Sequence, residues 1–263
     1  RDGYFSLYLC EAATGKVLKR LTDVNADVEM VGQDDKFVYY TSAEVSPVDN
    51  HLFRVEVKSG KKTRLTQAEG WHKVTMSGDM KYFVDNYSSL KVPRVILLVQ
   101  NDGKKVKELL KAEDPTKDYN FGEITLGTVK SADGKFNNYY RLIKPMNFDA
   151  SRKYPVIVYV YGGPHSQMVK NTWQAEMRRW EMYMAKHGYV VFVMDNRGTS
   201  NQGAEFEKAI HGQCGQAEMA DQMEGIKLLK SLPYVDADRI GVHGWSYGGF
   251  MTISLLTNHP DVF

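Results

Sequence analysis

A serine framed by glycines near the C-terminal end is the residue best suited to covalent chemistry. Ser246 stands at the centre of Gly244-Trp245-Ser246-Tyr247-Gly248, a G-x-S-x-G pattern between an apolar strand and an apolar helix. A turn this sharp strains the backbone of the serine and presents its hydroxyl clear of the sheet. The helix N-terminus directs backbone N–H groups at an oxyanion formed there. We therefore predict that Ser246 is a nucleophile.

A tyrosine at the end of an earlier strand is the candidate partner for the oxyanion. Tyr161 begins the sequence Tyr161-Gly162-Gly163-Pro164, and a loop at this place commonly supplies half of an oxyanion hole. Tyr161 can offer its hydroxyl, and Tyr247 its backbone N–H. The alternative stays open that Tyr161 is a structural residue packed on a glycine-rich turn.

The base that a serine nucleophile needs is harder to find. In this type of fold an acid and then a histidine follow the serine along the chain. After Ser246 the sequence holds one histidine, His259, and one acid, Asp261, in the reverse order and about a helix length away. We expect neither to complete a triad. We expect instead that the chain is a piece of a longer polypeptide, inactive by itself, with the triad Asp and His beyond Phe263.

Other residues near these motifs have simpler interpretations. Arg197 follows a buried strand and is interpreted as a structural tether, and Glu218 and Asp221 as first-turn acids of a helix. Trp245 and Tyr247 flank the serine and are predicted to bind substrate, with Tyr247 as the wall of a small apolar pocket. No spacing of His, Cys and Asp predicts a metal site, and we expect no cofactor.

The elements around the serine indicate an α/β domain over residues 119–263. A hairpin is predicted within residues 121–144, followed by continuously apolar strands at 155–161 and 189–194. Such strands are typical of a parallel sheet that is buried on both faces. Helices are predicted over residues 172–187 and 217–232. Strands that alternate with helices predict a largely parallel sheet.

Residues 1–118 show a different pattern, with short strands at close spacing and polar turns between them. A strand, a Thr-Gly or Ser-Gly turn and a strand ending in Arg-Leu-Thr occur twice, about 44 residues apart. This period fits the blades of a β-propeller, and blades cannot stand alone, so we expect more of them upstream. Lys104, Lys105 and Lys107 are interpreted as a solvated turn flank.

Composition excludes some classes of function. The 263 residues are 43% hydrophobic and 25% charged, with a net charge of +2 and no basic block, which argues against a nucleic-acid surface. No run reaches the roughly 20 apolar residues of a membrane helix, and no signal peptide is visible. Two cysteines, Cys10 and Cys214, do not reveal the compartment.

Together these motifs resemble the prolyl oligopeptidase clan of serine peptidases. The serine motif looks most like that of the dipeptidyl peptidase IV branch, which includes bacterial dipeptidyl and prolyl tripeptidyl aminopeptidases. The similar segments, in chain order, are Tyr159 to Pro164, Asp195 to Gly198 with Gln202-Gly203, Glu218 to Gln222, and Gly244 to Gly249.

The resemblance implies an eight-bladed propeller that caps an α/β-hydrolase domain. It implies that Ser246 is the nucleophile, that Tyr161 and Tyr247 form the oxyanion hole, and that short N-terminal peptides are released after proline or alanine. Peptide substrates, a homodimer and an extracytoplasmic place, periplasmic or cell-surface, also follow from it. The Glu pair that anchors the substrate amine is expected upstream of Arg1. Two alternatives remain: an acylaminoacyl peptidase or esterase on the same scaffold, or a non-catalytic interaction module.

Overall fold

The computed structural model describes residues 3–119 and 121–263. The chain forms two compact units. The first runs to Asp114 and includes Lys170–Trp173 and Asn201–Ala204; the second holds Pro115–Val169, Gln174–Ser200 and Glu205–Phe263. The expected domain boundary between residues 118 and 119 stays a prediction.

The first unit is built from antiparallel sheets whose strands follow one another in chain order. A two-stranded sheet comes first, then two four-stranded sheets. Their strands are β1 (Tyr8–Cys10), β2 (Val17–Arg20), β3 (Val28–Gln33), β4 (Phe37–Ser42), β5 (His51–Glu56), β6 (Lys62–Arg64), β7 (Trp71–Met76), β8 (Tyr82–Ser89), β9 (Val92–Gln100) and β10 (Lys105–Lys111). The repeat found in the sequence corresponds to the antiparallel pairs β1–β2 and β5–β6.

Alternating side chains of β4 explain how neighbouring sheets of this unit share a core. Val38 and Tyr40 point into one apolar cluster with Phe53 and Val55. Tyr39 points to the other face, where it packs with Leu52, Leu65, Phe83 and Val99 of the two four-stranded sheets. A strand that is apolar at successive positions is thus buried on both faces, as stacked blades require.

Two strands of this unit were not predicted. β3 has a mixed burial pattern, and β10 has all seven residues exposed. Lys104, Lys105 and Lys107 are exposed and flank the turn at residues 101–103, as interpreted, and the last two lie in β10. This strand pairs on one side only, with β9, and lysine is a common residue on such edge strands because it opposes pairing with another chain.

The second unit contains a five-stranded mixed sheet in the order β11-β12-β14-β13-β15. Its strands are β11 (Ile124–Lys130), β12 (Asn137–Ile143), β13 (Tyr154–Tyr159), β14 (Val190–Met194) and β15 (Val235–His243). β11 and β12 form the predicted antiparallel hairpin, and β13 is parallel to both β14 and β15. All five residues of β14 are buried, as expected for the centre of a sheet covered on both faces.

Four α-helices accompany this sheet in the described part of the chain: α1 (Arg179–Lys186), α2 (Gly203–Lys208), α3 (Ala217–Ser231) and α4 (Tyr247–Asn258). The predicted helix over residues 172–187 is wrong in its first half. Gln174, Ala175 and Glu176 have φ near +50°, so the chain makes a left-handed turn before α1 begins. No helix within the described ranges has the length and apolar character needed to cross a membrane.

Candidate active site

The turn between β15 and α4 holds Ser246 in an unusual backbone conformation. Its φ is +55° and its ψ is −123°, a region that non-glycine residues rarely adopt and that costs on the order of 1–3 kcal/mol. The residue is exposed, and its side chain makes no cap hydrogen bond to α4. The hydroxyl is therefore presented to solvent at the start of a helix.

Glycines on both sides allow this turn to pack directly on the end of β13. A Cβ at Gly244 would lie 2.4 Å from the carbonyl oxygens of Val160 and Gly248, and one at Gly248 would lie 2.2 Å from that of Val160. No side chain fits at such distances. The glycine spacing therefore reflects a close approach of three backbone segments and places the serine turn beside the chain that leads into Tyr161.

Tyr161 and Tyr247 are brought together at this edge of the sheet. Their ring centroids are 6.4 Å apart. Gly163, two residues after Tyr161, passes under the Tyr247 ring, because a Cβ there would lie 2.6 Å from Tyr247 Cγ. The loop after β13 and the first residue of α4 thus form one packed surface around Ser246.

The start of α4 can stabilise negative charge. N–H groups of a first helical turn have no partner within the helix, and the helix dipole adds partial positive charge. Here the Gly249 and Phe250 N–H groups turn back to the Ser246 carbonyl, at 2.9 and 3.2 Å. The roles of the Tyr247 N–H and the Tyr161 hydroxyl as oxyanion donors stay predictions.

The Tyr247 hydroxyl is held in a buried polar contact. It donates to Glu218 Oε1 at 2.5 Å, and Glu218 has no exposed surface. Burial raises the pKa of Tyr247, and the neighbouring Cys214 thiol and Glu218 carboxylate raise it further. The phenol therefore stays protonated and acts as a hydrogen-bond donor to the carboxylate.

Trp245 belongs to a different cluster from Tyr161 and Tyr247. Its Nε1 donates to the Tyr159 hydroxyl at 3.0 Å, and the Arg178 guanidinium lies 5.5 Å from the centroid of its ring. Its exposure is 55%. The two residues that flank the serine thus direct their rings to separate surfaces.

The loop after Tyr161 is tied down by side chains from the end of β14. The Asp195 carboxylate accepts hydrogen bonds from the Met168 and Val169 N–H groups at 2.9–3.0 Å. Asn196 Nδ2 donates to the Gly162 carbonyl at 3.0 Å, and Gln222 Nε2 donates to Asn196 Oδ1 at 2.8 Å. These buried contacts fix the backbone next to Tyr161.

Arg197 is a tether, as its interpretation from the sequence states. Its guanidinium donates to both Asp221 oxygens and to Asp133 Oδ2. The hydrogen bonds to Asp221 raise the pKa of Arg197.

The interpretation of Glu218 and Asp221 as simple first-turn acids needs correction. Glu218 lies in the first turn of α3 and Asp221 in the next turn, and both are fully buried and bonded to distant residues. The signal in the sequence was Arg197, close after the end of a buried strand, since a partly buried guanidinium is commonly paired with a carboxylate.

Neither of the two histidines nearest to Ser246 in the sequence is hydrogen-bonded to its side chain among the described residues. His259 lies at the end of α4, about 18 Å along a twelve-residue helix, and Asp261 is exposed beyond it. The ring of His243 packs against Trp180 at 4.8 Å. Among the described residues no cluster of three or more His, Cys, Asp and Glu side chains is placed to hold a metal ion.

Two family models match the chain. Residues 1–94 match the dipeptidyl peptidase IV N-terminal region, and residues 175–263 match the prolyl oligopeptidase family. These matches identify the sheets of the first unit as β-propeller blades and the second unit as α/β-hydrolase fold that includes the serine turn.

Similar proteins agree with these models. Human dipeptidyl peptidase 8 is 35% identical over 240 residues, which are 87% of this chain and 26% of that protein. The solved structure of Porphyromonas gingivalis dipeptidyl peptidase 4 is 34% identical with a TM-score of 0.91, over the whole of this chain and 37% of that one.

A structure from Bacteroides ovatus, provisionally named a dipeptidyl aminopeptidase IV, is 42% identical with a TM-score of 0.93, over all of this chain and 40% of that one. The chain thus spans between a quarter and two fifths of the length of these relatives. On its motifs, its fold and these matches, the chain belongs to the prolyl oligopeptidase family of serine peptidases, in the dipeptidyl peptidase IV branch.

Proposed function

We propose that the polypeptide containing this chain is a serine exopeptidase that releases short N-terminal peptides after proline or alanine. The observation that carries the proposal is the exposed Ser246, strained at the N-terminus of α4 and next to the paired Tyr161 and Tyr247 rings. The names of the relatives, dipeptidyl peptidases 8 and 4, support the same class of reaction.

In the proposed reaction the Ser246 hydroxyl oxygen attacks the carbonyl carbon of the scissile peptide. A histidine takes the hydroxyl proton and passes it to the leaving amine, so that an ester to Ser246 forms and the peptide bond breaks. Water then hydrolyses the ester by the reverse proton path. The Tyr161 hydroxyl and the Tyr247 N–H stabilise the oxyanion in both steps.

Substrate binding is assigned to the two residues that flank the serine. The Tyr247 ring forms a wall of the pocket for the residue before the scissile bond. Trp245, which packs in a separate cluster with Tyr159 and Arg178, also contacts the substrate. We assign the triad histidine and aspartate to sequence beyond Phe263, since His259 lies at the far end of α4. The 263 residues alone are therefore expected to show no turnover.

The substrate class is tested on the natural full-length polypeptide that contains this sequence. A fluorogenic Xaa-Pro substrate with a free amine is compared with its N-acetylated form, and Ser246→Ala is the control. We expect turnover of the free-amine substrate only, with loss in Ser246→Ala. Preference for the acetylated form would support an acylaminoacyl peptidase, and no turnover of either would support a non-catalytic module.

A homodimer follows from the family resemblance and is part of the proposal. Light scattering coupled to size-exclusion chromatography of the same full-length protein tests it. A mass of two chains is expected, and the mass of one chain would remove the homodimer from the proposal.

A further inference from the structure

The Tyr247 side chain is held on several sides, which a pocket wall alone would not need. Gly163 lies under its ring, and the Phe250 ring meets it nearly edge-on at 5.4 Å. At the tip, the hydroxyl donates to Glu218 at 2.5 Å. Two ring contacts and a short hydrogen bond together leave the side chain a single orientation.

Glu218 ties three segments of the chain together. It lies in the first turn of α3, and each of its carboxylate oxygens is 3.0 Å from the Gly215 N–H, which precedes that helix. Its Oε1 also accepts from Tyr247, the first residue of α4. Gly215 must be glycine at this place, because its φ is +87° and a Cβ would lie 2.9 Å from Phe250 Cζ. Hydrogen bonds to a carboxylate are among the stronger ones in proteins.

In the proposed reaction Tyr247 contributes its backbone N–H to the oxyanion hole, in addition to the ring that forms a pocket wall. A shift of its side chain turns the peptide plane that carries the N–H beside Ser246, and oxyanion donors act only at short range. The geometry points to Glu218 as a positioning residue that, through the Tyr247 hydroxyl, sets the direction of the oxyanion N–H. This inference rests on the proposed function of Ser246.

A purely local role for Glu218 makes a different prediction. The bonds to Gly215 alone would tie the segment before α3 to its first turn and would affect only the stability of the fold. The bond to Tyr247 spans 29 residues of sequence and is the shortest that Glu218 makes. If it positions the N–H, its loss lowers the rate of the chemical step while substrate binding in the ground state changes little.

The test uses the full-length polypeptide and begins with the wild type. Wild-type turnover must first be present; its absence refutes the proposed function and is distinct from any result on Glu218. Tyr247→Phe and Glu218→Leu are each expected to lower kcat about 10-fold with KM within about twofold, since small misplacement of a donor costs this much. Glu218→Gln keeps an acceptor oxygen and is expected to retain kcat within about threefold.

A double variant and a surface control complete the test. Because both substitutions remove the hydrogen bond between Tyr247 and Glu218, Tyr247→Phe with Glu218→Leu should lower kcat no further than Glu218→Leu alone, which also removes the bonds to Gly215. Glu224→Gln, on the same helix but paired with Lys227 at the surface, should leave kcat unchanged. The inference is overturned if Tyr247→Phe keeps the wild-type kcat, or if the two losses multiply in the double variant.

Discussion

The two units bury ionisable side chains in different ways. In the propeller blades the buried basic groups are imidazoles: His51 Nδ1 lies 3.1 Å from Thr66 Oγ1, and His72 Nδ1 lies 2.8 Å from an Asp85 oxygen. In the hydrolase unit the buried basic group is the Arg141 guanidinium, which pairs with Glu181; both side chains are at most 2% exposed.

This difference determines which of the two buried basic groups can change its charge near neutral pH. A guanidinium keeps its charge at any pH that a protein survives, whereas an imidazole gains or loses its proton near neutrality. Arg141 also donates to the Met168 and Ala175 carbonyls, so a permanent charge holds the segment that follows the Tyr161 loop. The cation that holds this segment is thus fixed, although burial raises the pKa of its partner Glu181.

The largest expected effect comes from breaking the buried ion pair. Arg141→Met leaves the Glu181 carboxylate buried without its partner, and such a change typically costs about 3–5 kcal/mol. Urea unfolding of the hydrolase unit measures it. Lys227→Met, which removes an exposed pair with Glu224, should change the unfolding free energy by less than about 0.5 kcal/mol. Equal losses in both variants would contradict the claim that the buried Arg141–Glu181 pair, and not ion pairing in general, holds this unit.

Removing the hydroxyl of Tyr161 tests the other half of the proposed oxyanion hole. Tyr161→Phe keeps the ring next to Tyr247 but removes the donor. Loss of one donor lowers kcat by about 10²–10³-fold, or roughly 3–4 kcal/mol. The unfolding free energy should stay close to that of the wild type, because the half-buried ring remains. A kcat within threefold of the wild type would restore the structural interpretation of Tyr161.

A smaller effect is expected when a lower pH reduces the stability of the blades. Burial, assisted by His72 and Arg64, lowers the pKa of His51 to about 4. In the unfolded chain the His51 imidazole gains a proton below about pH 6.5, whereas in the folded blade it stays neutral until about pH 4. The contribution of neutral His51 to the stability of the fold is therefore complete above about pH 6.5. It decreases as the pH falls, by about 2 kcal/mol at pH 5.

Native-state amide exchange of β5 measures this loss at pH 7 and pH 5. His51→Gln should remove most of the difference between the two pH values, whatever it does to stability at pH 7. If the variant keeps the full pH dependence, His51 is not its source.

The smallest effect concerns Trp245. Trp245→Phe keeps an aromatic ring but removes the N–H that donates to Tyr159. One hydrogen bond at a half-exposed site contributes about 1 kcal/mol or less, so the melting temperature should fall by only a few degrees. KM for peptide substrates should rise a few-fold if Trp245 binds substrate, and an unchanged KM would remove it from the binding site.

Much of the fold follows from local patterns. The strands with strong alternation or continuous apolar runs were predicted, since the blade cores and the centre of the parallel sheet need those patterns. The glycines at 244 and 248 likewise mark a turn whose close approach no other residue permits. The serine turn was therefore predictable to the residue.

The remainder depends on partners that are distant in sequence. The left-handed turn at Gln174 has no glycine to mark it, and β10 is an edge strand without an apolar face. Glu218 and Asp221 looked like solvated first-turn acids because their partners, Tyr247 and Arg197, lie 29 and 24 residues away. The sequence of a helix alone does not predict whether one of its charged side chains is buried.

The central claim is that Ser246 is an activated nucleophile, and covalent labelling tests it most directly. The natural full-length polypeptide is treated with a fluorophosphonate, digested, and the adduct located by mass spectrometry. We predict one adduct, on Ser246, that disappears in Ser246→Ala. An unlabelled wild-type protein, or an adduct that persists in Ser246→Ala, would contradict the account.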